Sequence, residues 1–86
     1  IMNITRSDGK NIPFAADIYD EQGNVIGNVG QGGQAFVRGI EQQGNISIKW
    51  LEQSKPVSCL AHYQQSPEAE KIAQSIILNG IRCQIQ

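Results

Sequence analysis

The sequence predicts an all-β domain carrying one short helix near residues 67–76. Two observations carry this. Short segments alternate apolar and polar residues with a period of two between Gly, Asn, Pro and Gln punctuation, and only one stretch switches to helical spacing. At 86 residues the chain has room for one domain, 1–86, burying roughly 60% of the surface its unfolded form exposes.

Pro13 to Tyr19 reads as the first strand, with Phe14, Ala16 and Ile18 on one face and Ala15, Asp17 and Tyr19 on the other. Asp20-Glu21-Gln22-Gly23 is a turn, and a second strand runs from about Asn24 to Val29. Glycines 30, 32 and 33 make a flexible connection. The strand Gln34 to Arg38 then gives Ala35 and Val37 to one face and Phe36 and Arg38 to the other, ending at Gly39-Ile40. After a polar turn from Glu41 to Asn45, Ile46, Ile48 and Trp50 alternate strictly with Ser47 and Lys49. Lys55-Pro56 is expected to break the chain before Val57 to Tyr63, which points Val57, Cys59 and Ala61 inward, opposite Ser58, Leu60 and His62. Ser66-Pro67-Glu68-Ala69-Glu70 is the helical signal, with a capping serine, proline at the first helical position and two carboxylates near the positive dipole end. Asn79-Gly80 reads as a tight turn into a last strand that buries Ile81, Cys83 and Ile85.

Cys59 and Cys83 thus point inward from separate strands, either as two buried thiols or as one disulfide. The small core favours the disulfide, which would contribute about 3 kcal/mol and would imply an oxidising compartment.

Seven basic and eight acidic residues give a formal charge of −1, which provides no field to gather nucleic acid. Apolar runs such as Ile76, Ile77 and Leu78 are far shorter than the roughly 20 residues a spanning helix needs. Nothing from Ile1 to Lys10 resembles a signal peptide, and a first residue other than Met suggests a piece of something longer.

One histidine and two separated cysteines do not make a metal site, and Cys59 and His62 fall on opposite strand faces, which spoils a nucleophile and base pair. Asp17, Asp20 and Glu21 lack the ligand spacing of a calcium loop, and Gly30-Gln31-Gly32-Gly33 lacks the Lys-Ser/Thr of a phosphate loop. The glycosylation triplets at Asn3 and Asn45 decide nothing. No catalytic residue, cofactor or metal is expected. Alternation instead throws Phe36, Tyr19 and Leu60 outward, where a contiguous apolar patch would mean a partner.

Pro13-Phe14-Ala15-Ala16, Gly23, Val25-Ile26-Gly27, Val29-Gly30, Gly33, Ala35-Phe36-Val37, Gly39-Ile40 and Ile46-Ser47-Ile48-Lys49-Trp50, followed by Cys59 and Cys83, resemble the C-terminal domain of outer-membrane ushers. The Gln-rich insertion between the cysteines is most similar to capsular-antigen or atypical-fimbria ushers that work with long-loop chaperones. The chain departs from many ushers in having Gln31-Gly32 where they carry an acidic pair.

The resemblance implies a transthyretin-like Greek-key sandwich or small barrel of about seven strands. It also implies a periplasmic location on a parent embedded in the Gram-negative outer membrane. The expected role is non-catalytic: binding chaperone–subunit complexes, alongside other domains of the parent usher, and promoting assembly of fimbrial or capsular polymers. The usher pattern places an aromatic at Phe36, making it the expected anchor, with Ile26, Tyr19 and Leu60 as weaker candidates. The competing expectation is an interaction or stalk module of a secreted or surface protein.

Overall fold

The computed structural model describes residues 1–39, 41–64 and 78–86. Seven strands, β1 (Met2–Arg6), β2 (Asp17–Tyr19), β3 (Val25–Val29), β4 (Gln34–Val37), β5 (Gln43–Glu52), β6 (Lys55–Gln64) and β7 (Leu78–Ile85), close into a barrel in the order β1-β4-β3-β2-β5-β6-β7. β2, β3 and β4 form an antiparallel meander and β1 lies beside β4, which is a Greek key. The parallel β1–β7 pair completes the ring. The helix expected near 67–76 lies outside the described residues.

The core is the inward half of each alternation. Ile18, Ile46, Ile48, Val29 and Ala35 are buried in it, with Met2 and Ile4 from β1. Met2, Ile4 and Arg6 are the inward residues of this strand, which precedes the first one expected from the sequence. Cys59 and Cys83 are fully buried and joined in a disulfide across β6 and β7, their Cα atoms 5.3 Å apart.

Three local expectations are corrected. The strand expected from Pro13 begins only at Asp17, because Ala15 adopts a left-handed conformation (φ 71°) that swings Phe14 out to 70% exposure. Here the peptide nitrogen of Ala15 donates to Val29 O, and Val29 N donates to Ala16 O, so this bend still tracks β3. The chain reverses at Gln53-Ser54, both at positive φ as a type I′ hairpin requires, rather than at Lys55-Pro56. Pro56 sits inside β6 opposite Leu51; β7 reaches only to Ile85 opposite Cys59, so the missing proline N–H deprives no strand of a partner. Asn79-Gly80 is not a turn but a bulge within β7: Met2 pairs with Leu78 and Ile4 with Ile81, leaving two residues opposite Asn3, and Gly80 supplies the positive φ of 72°. The connection expected at glycines 30, 32 and 33 is a tight turn in which Gly32 and Gly33 take positive φ of 68° and 79°.

Candidate binding surface

Closing the barrel removes the sheet edges, so its outward side chains are what it can offer a partner. Phe36 stands on β4 between buried Ala35 and half-buried Val37 and is 49% exposed. On β3 its ladder partner is Asn28, and the β1 register, with Met2 opposite Ala35, puts Ile1 beside it. Ile1, Phe36, Val37 and Arg38 line a shallow groove there. The ring rests on Gly30: a Cβ at that position would come within 2.6 Å of Phe36 Cε2. Glycine at 30 therefore lets the aromatic lie against backbone.

A second apolar group lies on another side. Val25 opposes Tyr19, Tyr19 opposes Ser47, and Ser47 opposes Leu60, forming one row across β3, β2, β5 and β6. Val25 and Leu60 are exposed, and Tyr19 is half-buried beneath the Lys49 ammonium, 4.8 Å from its ring centroid. From β4, Leu60 on β6 is reached in four strand steps through β3, β2 and β5, or in three through β1 and β7. The structure thus brings Tyr19 and Leu60 together and sets Phe36 nearly opposite.

Ile26 belongs to neither group. The β2–β3 register slips between Ile18 and Tyr19, and the slip leaves Ile26 half-buried, packed against the core and lining a cleft with Tyr63 and Ile46. Three further exposed apolar residues, Val25, Phe14 and Leu51, are not among the expected contacts. Only Leu51 follows simple alternation, from buried Trp50. At Val25 and Phe14 a bulge and a left-handed residue cancel the period-two signal.

The acidic residues near this surface are engaged with backbone. Asp20 Oδ1 accepts from Asn24 N at 2.8 Å and Gln22 N at 2.9 Å, and these bonds, Asn24's first, hold the carboxyl below its ordinary pKa. Glu21 Oε1 accepts from Asn45 N at 3.0 Å. Among the described residues no group of three or more His, Cys, Asp or Glu could hold a metal ion. His62 Nδ1 lies 3.2 Å from Asn45 Oδ1 on the outside of β6, with Cys59 committed to the disulfide on the inside. Among the described residues no helix is long and apolar enough to cross a membrane.

Comparison with known proteins places these features in a family. The family model described as the PapC C-terminal domain matches residues 1–67. A probable outer membrane usher protein LpfC' of Escherichia coli O157:H7 is 34% identical over 74 residues, covering 83% of this chain and 15% of its own length. Outer membrane usher protein FimD of Escherichia coli K12 is 31% identical over 71 residues, covering 83% of this chain and 8% of its own. The chain therefore spans a small part of the curated relatives it matches. Among solved structures, the Caf1A usher C-terminal domain superposes with a TM-score of 0.77 at 26% identity, over 98% of this chain and 93% of that one. Its description states that conserved hydrophobic clusters on its surface are important for F1 antigen assembly. The C-terminal domain of the PapC usher superposes with a TM-score of 0.71 at 22% identity, over 96% and 94%, and shares the fold.

Proposed function

This chain belongs to the PapC C-terminal domain family of outer membrane ushers, and from that premise we propose that it binds chaperone–subunit complexes and promotes polymer assembly without catalysis. The domain is periplasmic, on a parent in the outer membrane. The observation that carries the reading is Phe36, a large aromatic held 49% exposed on a closed barrel whose adjacent Ala35 is fully buried. Exposing that ring adds nothing to the core, and aromatic anchors are typical interface hot spots, worth about 2 kcal/mol or more on truncation. Val25, Tyr19 and Leu60 offer a subsidiary surface, and Ile26, being packed against the core, contributes least.

The polymer handled is fimbrial or capsular. Likeness to the Caf1A domain, described in terms of F1 antigen assembly, supports the capsular side of that class. A role built on surface contacts needs no cofactor.

Deleting residues 1–86 from the parent usher tests the proposal. Expected is a barrel that still inserts in the outer membrane and exports no polymer. Normal surface polymer from the truncated usher would refute it.

A further inference from the structure

Arg6 is the one buried charged side chain among the described core residues, and the binding surface does not account for it. It ends β1 pointing into the barrel, 6% exposed, with its guanidinium 5.1 Å from the centroid of the Trp50 ring. Arg6 Nη1 donates to Glu52 Oε1 at 2.6 Å and Nη2 to Asp8 Oδ2 at 2.8 Å. Both carboxylates lie at the rim, 43% and 38% exposed. A buried cation is thus neutralised by two acids that water reaches.

The place of this cluster in the fold gives it leverage. Beyond Lys49 on β5 and Ser58 on β6 the β5–β6 hairpin has ladder partners only within itself, since β2 stops at Asp17 opposite Lys49 and the Gln86 nitrogen reaches Ser58 O. Its tip, Leu51 to Pro56, is exposed apart from half-buried Glu52, which is tied to Arg6. Arg6 in turn pairs with Cys83 of β7, and Ser7 N donates to Cys83 O at 2.8 Å, so one end of the tie is fixed to the disulfide-bonded wall.

We propose that the Arg6–Glu52–Asp8 cluster is an acid-sensitive latch that holds the protruding β5–β6 hairpin against β1. Two buried donors, Arg6 Nε and Trp50 Nε1, have no hydrogen-bond partner among the described residues, so opening the latch to water satisfies both and keeps the closed state shallow. The charged groups facing the cluster are Arg6 on β1, Asp8 and Lys10 in the following loop, and Glu52 on β5. Arg6's hydrogen bond holds Glu52 below the usual carboxylate range. The Lys10 backbone N–H, then Arg6, holds Asp8 low. Lowered carboxylate pKa values mean that the stabilisation is complete above the ordinary range and is lost as pH falls through the folded values. Protonating both acids leaves a buried guanidinium without counter-charge, which drives it and the hairpin apart.

Trp50 is the single tryptophan of the chain, so its emission reports the latch directly. As pH falls from 6 through the lowered carboxylate range the emission should shift to the red and the protection factors of the Leu51 to Lys55 amides, taken against intrinsic exchange at the same pH, should fall at least about tenfold, while β7 amides keep theirs. Arg6→Met, which leaves an apolar side chain over Trp50, should abolish the shift. Glu52→Gln should move it to higher pH and serves if Arg6→Met does not fold. An unchanged wild-type emission, loss of β7 protection together with the hairpin, or the same acid shift in both variants would each overturn the latch.

Discussion

Across β5, β6 and β7 the ladders are long: ten residue pairs join β5 to β6, and a disulfide fixes β6 to β7. Across β1 and β4 the barrel closes on two pairs, Met2 with Ala35 and Asn3 with Gln34. The long wall includes fully buried Ile48, Ile46 and Cys59, whereas the short seam carries Phe36, turned outward over Gly30. The contrast separates two tasks that an 86-residue domain must meet with one small core: a rigid wall supplies stability, and a thin seam can spend a large aromatic on its outside.

The contrast breaks most visibly if its two sides respond alike to truncation. Ile48→Ala empties a fully buried site between β2 and β6 and should cost about 2–5 kcal/mol. Val37→Ala, at a half-buried position of the seam, should cost about 1 kcal/mol or less. Denaturant titration of both variants measures the difference; equal losses would show that the seam is as stabilising as the wall.

Removing the cross-link sharpens the same comparison. Replacing Cys59 and Cys83 together by alanine opens a loop of sequence separation 24 and should cost about 3 kcal/mol. Amide protection should then fall first along β6 and β7. If exchange instead rises first at β1 and β4, the disulfide supports the seam rather than the wall.

How far the sequence alone foretells this architecture depends on the same two sides. Ile46, Ile48 and Trp50 on β5, and Cys59 and Ala61 on β6, keep an unbroken period of two, so their inward orientation is legible without coordinates. Along the seam the inference needed more than period. Ala35 and Phe36 alternate cleanly, and Phe36 is exposed as expected. β1 is not legible from pattern because its inward set ends in Arg6, a charge buried beside two acids, Asp8 close by and Glu52 far away in sequence. Ile26, expected as an exposed contact, is half-buried because the register slip between Ile18 and Tyr19 shifts the face it presents. The opposed placement of Phe36 and Leu60 follows from strand order around the barrel, which local patterning does not encode.

Leu60 supplies a smaller test of the two surfaces. Leu60→Ala lies on the outer face of the wall and should change stability by no more than about 0.5 kcal/mol. It should reduce polymer assembly less than a truncation on the seam does. A greater assembly defect from Leu60→Ala would move the principal contact to the row shared with Val25 and Tyr19.

The most direct measurement pairs two readouts on Phe36→Ala: polymer displayed by cells carrying the full-length variant usher, and thermal unfolding of the isolated domain. A ring that is half exposed and rests on glycine backbone should leave the midpoint nearly unchanged, with a loss of about 1 kcal/mol or less, while assembly falls sharply. A loss of about 3–5 kcal/mol, the cost of a core phenylalanine, or undiminished assembly would contradict the account.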